Sequence, residues 1–241
     1  MRTLMILSIL VLIGCSHADD LLSSYGTDTT VKRQVESFNK ITAGEKFDII
    51  LVQDSAQEGL IEITAGDHVI DGYTTEVNNG ELIIKNKNKF NWIRKLKVRQ
   101  TVVIYFRHID KLQINGSAKF SCRDTIFQSG ILEVNHAGLE DANLNIKGNY
   151  IFVNCGNTGG VALSGSCFLF SGSADDISFV DTRNLKAKKC YFTSYSRMDS
   201  HVNGIEELDI RLFGVGNVFY NLAPSNILKI EDSGEGEVIK N

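Results

Sequence analysis

From Leu112 to the last residues, a short apolar–x–apolar motif returns about every twenty positions, and a chain so patterned has few ways to fold. The motif opens at Leu112, Leu132, Ile151, Phe168, Cys190, Leu208 and Leu228, at spacings of 20, 19, 17, 22, 18 and 20 residues. Small polar corners follow several of these motifs, as in Asn115-Gly116-Ser117-Ala118, Asn135-His136-Ala137-Gly138 and Ser171-Gly172-Ser173-Ala174. A second short apolar element often follows, at Val161, Ile177, Val218 and Val238. Period-two alternation means strands, and helical periodicity is hard to find anywhere. A unit this short cannot bury its own apolar face. Stacking solves the problem, because each strand pairs with its equivalent one rung away at ~4.8 Å and the inward residues form ladders. An antiparallel sandwich would explain the strands but not the returning corners. The pattern therefore predicts an all-β, parallel β-helix-like solenoid with rungs of about 20 residues. Residues 31–105 are less regular; their apolar runs (Phe47–Val52, Leu60–Ile63, Leu82–Ile84, Val102–Ile104) are expected to supply the first rungs and a cap.

Two stretches of this region carry a family resemblance. Phe38-Asn39-Lys40-Ile41 followed by Gly44-x-x-Phe47-Asp48-Ile49 is one, and Val77-Asn78-Asn79-Gly80-Glu81-Leu82-Ile83-Ile84 is the other. Together with Ile109-Asp110-Lys111-Leu112-x-Ile114-x-Gly116-Ser117-Ala118, they resemble the head GIN domain of autotransporter adhesins, over roughly residues 31 to 241. The resemblance implies an exported bacterial protein and a right-handed β-helix-like solenoid. It implies no catalytic residues.

The amino terminus supplies an address. Met1-Arg2-Thr3 is short and basic, Leu4 to Ile13 is apolar apart from Ser8, and the run stops at Gly14-Cys15. Such a run is too short to span ~30 Å of hydrocarbon but fits the apolar region of a secretory signal. Leu12-Ile13-Gly14-Cys15 resembles the lipobox of bacterial lipoproteins, which implies a cut before Cys15 and lipidation of its thiol. Two or more acyl chains make attachment stable where one is marginal. Ser16, in place of an aspartate that would resemble an inner-membrane retention signal, favours the outer membrane, facing the periplasm or the cell surface. The expected organisation is a signal peptide over 1–14, a flexible tether over 15–30 rich in Ser, Thr and Asp, and the solenoid over 31–241. Four cysteines remain, Cys122, Cys155, Cys167 and Cys190, with no CxxC spacing; buried free thiols are the simplest expectation.

The net charge of −4 argues against a nucleic-acid partner. Enzyme signatures are scarce: there is no HExxH, no GxSxG elbow, and the GxG at Gly214-Val215-Gly216 lacks a third glycine and a following helix. No catalytic set, cofactor or metal site is expected. Three surface features remain. Lys89, Phe90, Trp92, Arg94 and Lys95 lie in a basic loop with no acid between Glu81 and Asp110, a composition suited to anionic glycans or headgroups. Residues between inward positions point outward, which predicts Phe152, Leu169 and Tyr191 side by side on three rungs as a binding surface. Asp175, Asp176 and Asp181, with Glu140 and Asp141 nearby, form an acidic corner of the kind polysaccharide-cleaving β-helices use. The expected function is a lipid-anchored, non-enzymatic adhesion or interaction module with envelope or extracellular glycans or proteins as partners. The alternative is a polysaccharide-active enzyme working from the acidic corner; a third reading is an envelope assembly or stress factor.

Overall fold

The computed structural model describes residues 25–88 and 100–241. The strands of the first third are β1 (Asp28–Gln34), β2 (Lys40–Ala43), β3 (Phe47–Gln53), β4 (Leu60–Gly66), β5 (Tyr73–Asn78), β6 (Glu81–Asn86) and β7 (Gln100–Phe106). After β8 (Lys111–Gly116) and β9 (Lys119–Cys122) come four long strands: β10 (Ile126–Gly138), β11 (Ala142–Cys155), β12 (Val161–Ala174) and β13 (Val180–Ser194). Then follow β14 (Ser200–His201), β15 (Glu207–Leu212), β16 (Val218–Tyr220), β17 (Ile227–Asp232) and β18 (Val238–Lys240). Apart from two short 3-10 turns, the described residues contain no helix.

The chain winds as a parallel β-solenoid with two sheet faces. One face stacks β6, β2, β8, then the second halves of β10, β11, β12 and β13, then β15 and β17. The other stacks β7, β3, β9, the first halves of β11, β12 and β13, then β14, β16 and β18. Chain order is not spatial order at the start: β2 and β3 lie between β6–β7 and β8–β9. Antiparallel pairings of β4 with β7, β1 with β4 and β5 with β6 close this end, and Phe47 meets the buried Tyr73 edge-on at 5.5 Å beneath them. These are the expected first rungs and cap, since an unprotected first rung would expose its edge and its interior. β1 starts at Asp28, so the last residues assigned to the tether already pair with β4. The far end is open: all six residues of β17 are exposed.

The interior is a set of columns. Leu132, Ile151, Phe170, Cys190 and Leu208 stand in register and are buried. One pleat along, Leu112, Val134, Val153, Gly172, Phe192 and Ile210 form a second column. Three sequence assignments are corrected here. Ile177 is exposed at a turn, and Val180 takes its place in register with Val161. Leu112 stacks on Val134 rather than Leu132, and the inward residue of β12 is Phe170 rather than Phe168, which is 42% exposed. With Phe170 in place, the spacings from Leu132 to Leu228 become 19, 19, 20, 18 and 20 residues. The outlying 17 and 22 were the mark of the wrong phase. Gly172 makes room in its column: a Cβ there would lie 2.6 Å from Cζ of Phe170.

The two faces meet along two edges of a different kind. At the turn edge the chain leaves one strand and enters another, as at 139–141, 156–160, 175–179 and 195–199. At the bend edge β10 to β13 continue from one face to the other without ending, near residues 129–130, 148–149, 167–168 and 187–188.

Candidate functional site: a groove along the bend edge

Side chains at the bend edge stand in columns one rung apart. Phe127, Lys147, Ser166 and Lys186 are in register on β10 to β13. Beside them, Phe168 reaches outward and meets the half-exposed Tyr150 edge-on, with ring centroids 6.1 Å apart. Phe127 is 60% exposed, and Ile131 and Ile205 are exposed nearby. Phe127, Lys147, Ser166, Phe168, Lys186 and Ile205 line an open groove of about 1070 Å³. Its floor is held by amide side chains. Gln53 accepts from the Phe127 N–H (2.7 Å) and donates to the carbonyls of Phe127 (2.9 Å) and Arg107 (3.0 Å). Asn149 donates to the Ser129 carbonyl at 2.7 Å, and the buried Gln128 donates to that of Ile131 at 2.7 Å. Gly148 lets the rungs close up, since a Cβ would lie 2.9 Å from the Gln128 carbonyl oxygen.

The lining contains Arg107, Lys147, Lys186 and Lys188 and no carboxylate. Lys188 pairs with Glu206 at 3.6 Å. Among the described residues, the other three cations have no ion pair. Contiguous exposed apolar surface rimmed by charge usually marks a contact site.

The predicted ladder is only partly assembled. Phe152 and Tyr191 do share an outward column, but the residue between them is Ser171. Leu169 lies one pleat away, paired with Tyr150 and Lys189, so it does not bridge the two rings. The same phase error that turned Phe168 inward moved Leu169 into the wrong column. Tyr191 donates to Glu207 at 2.8 Å, and Lys189 pairs with the same carboxylate at 2.8 Å. That bond to Glu207 raises the phenol's pKa, while Lys189 and Tyr191 hold the Glu207 carboxyl below its ordinary value. Lys89, Phe90, Trp92, Arg94, Lys95 and the lipidation residue Cys15 lie outside the described residues.

Two acids at the turn edge bond to backbone amides across it. Asp141 accepts from the Gly160 N–H at 2.9 Å, and Asp176, in the left-handed region at φ 57°, from that of Asn157 at 3.3 Å. Asp181 pairs with Arg183 at 2.6 Å; burial works against its charge, but the bonds to Arg183 prevail and lower its pKa. Burial and the charge of Asp176 raise that of Asp175. His136 is buried, its Nε2 2.6 Å from the Glu140 carbonyl and its Nδ1 accepting from Gly138, and burial holds its pKa down. All four described cysteines are free thiols, and burial pushes Cys155 up to about 11 and Cys167 to about 12. Among the described residues, no three His, Cys, Asp or Glu side chains come together as a metal site, and no helix is long and apolar enough to cross a membrane.

A rung order that interleaves the first coils, an antiparallel cap and an open last coil define a capped parallel β-solenoid. Residues 37–224 match the family described as "Putative auto-transporter adhesin, head GIN domain", and the chain belongs to that family. No curated protein matches it. Among solved structures, it is similar to a putative adhesin from Bacteroides fragilis, with 20% identity and a TM-score of 0.81 over 88% of this chain and 96% of that one. It is also similar to a putative adhesin (17% identity, TM-score 0.61, 89% of this chain and 98% of the other) and a putative lipid binding protein (18%, 0.61, 90% and 98%), both from Parabacteroides distasonis. At these identities the likeness is one of fold.

Proposed function

We propose that this chain is a non-enzymatic binding module of the bacterial envelope, tethered through a lipid on Cys15, and that the bend-edge groove is its binding surface. The observation that carries this reading is the in-register exposure of Phe127, Lys147 and Lys186, with Phe168 beside them, over a floor already fixed by Gln53 and Asn149. Exposed rings are poorly solvated and cations without an ion pair need break none to bind, so both are available to a ligand. At the acidic corner, Asp141, Asp176 and Asp181 are engaged with backbone amides or Arg183, which leaves Asp175 without a second free carboxylate among them to pair with for hydrolysis. A lipid ligand, as in the description of one Parabacteroides neighbour, is the competing occupant, since the groove's aromatic rings are apolar as well as flat.

Screening the purified protein on glycan and protein arrays tests the groove. The expected result is a set of binders whose signal falls at least tenfold on Phe127→Ser with Phe168→Ser. Binders that ignore both substitutions would reject the groove. The anchor is tested separately: Cys15→Ser should abolish incorporation of labelled fatty acid and release the protein from the membrane fraction, and retention of both label and membrane would contradict it.

A further inference from the structure

We infer that the groove takes an acidic polysaccharide, lying along the bend edge with its anionic groups on Lys147 and Lys186 and its sugar faces on Phe127 and Phe168. This inference rests on the groove being the binding surface and adds the chemistry of what binds.

Charge is the first argument. The chain as a whole carries −4, yet the groove lining holds four cations and no carboxylate. Such a local reversal of sign attracts an anion that the rest of the protein's surface repels. Spacing is the second. Lys147 and Lys186 occupy the same register position two rungs apart, hence roughly 10 Å. A linear polymer bearing charge on every second sugar can meet both with the lysine side chains extended. Ring chemistry is the third. Phe127 and Phe168 expose apolar faces next to the cations, and the C–H face of a pyranose packs on such a ring while its hydroxyls stay wet.

Shape separates this occupant from a lipid. Acyl chains need enclosure, but the interior beneath the bend is filled by buried side chains such as Phe170, Cys190 and Leu208, and the groove is open along its length. Ser166, Asn149 and Ser129 offer hydroxyl and amide groups between the charged positions, which suits a polyhydroxyl chain.

Calorimetric titration of the full protein with heparin (sulfated), polygalacturonate (carboxylated), dextran (neutral) and phosphatidylglycerol vesicles tests the inference. Binding of either anionic polymer, absence of dextran binding, and weakening as ionic strength rises from about 0.01 M to about 0.15 M are expected. The two polymers distinguish sulfate from carboxylate recognition. Lys147→Gln with Lys186→Gln should weaken the bound polymer about tenfold, with an unchanged melting temperature as the control for folding. Dextran bound as tightly as the anionic polymers, or a double lysine variant with unchanged affinity, would overturn the inference. So would binding of vesicles alone; if Phe127→Ser abolished that binding, the groove would stand and only its ligand class would fall. Polymer binding untouched by any of these substitutions would remove the groove as well.

Discussion

The two edges of the coil are built from the same stack of rungs and use their polar side chains in opposite ways. At the turn edge the chain reverses through small polar residues, and its acids and serines bond to backbone groups one rung away. Asp141, Asp176, Ser178 and Ser196 all do so, and even the exposed Tyr195 is stacked on Phe213 at 5.1 Å. At the bend edge the strands run through, and where the ladder breaks the amides of Gln53, Gln128 and Asn149 satisfy the backbone, so the neighbouring cations and rings are left without that duty. Lys147, Lys186 and Phe127 are the result. A continuous strand frees its side chains for a partner, whereas a turn consumes them.

The comparison can be broken most sharply inside β12, where Phe168 and Phe170 are two residues apart on opposite sides of the wall. Phe170→Ala should cost about 3–5 kcal/mol through the cavity it leaves, whereas Phe168→Ala should stay within about 1 kcal/mol; urea unfolding reads both. Equal losses would mean that the register is wrong. At the turn edge, Ser196→Ala leaves the buried Ser178 carbonyl and the Met198 N–H without the hydroxyl bonds at 2.5 and 2.9 Å. A loss of about 1–3 kcal/mol is expected, with ligand binding unchanged.

His136 gives the turn edge a pH signature. Burial holds its folded pKa below the ordinary value of 6.5, so on acidification the unfolded chain takes up a proton that the native protein refuses. Stability is therefore full above about pH 6.5 and falls as pH drops below it. His201, lowered chiefly by burial, adds to the same slope. Thermal melts of His136→Gln between pH 7 and pH 5 should show a shallower decline than the parent, and an identical decline would contradict the assignment. The smallest effect belongs to the bend edge: Lys147→Gln with Lys186→Gln should change unfolding free energy by no more than about 0.5 kcal/mol.

The coil itself was legible because a twenty-residue period of apolar pairs leaves little else to build. The phase was not legible everywhere. Phe168-Leu169-Phe170 reads equally well with either phenylalanine inward, and the strand passes through its bend near 167–168 without ending, with Gly165 at φ 105° as the one local mark just before it. Only the irregular spacing on either side of Phe168 carried the signal. The interleaving of β2 and β3 between later strands leaves no trace in local pattern, since any parallel rung accepts any other. The groove was missed for a related reason: Gln53, Arg107, Phe127, Lys147 and Lys186 become neighbours only by stacking. A search at the rung period for outward positions would have found Phe127, Lys147, Ser166 and Lys186, which recur at 20, 19 and 20 residues.

Hydrogen–deuterium exchange of the full protein, with and without a saturating polymer or vesicle that binds it, tests the binding edge most directly. Protection confined to segments around 127–131, 147–150, 166–169 and 186–189 is the predicted result. Protection instead at the turns 139–141 and 175–179, or along the strip from Phe152 to Tyr191, would contradict it.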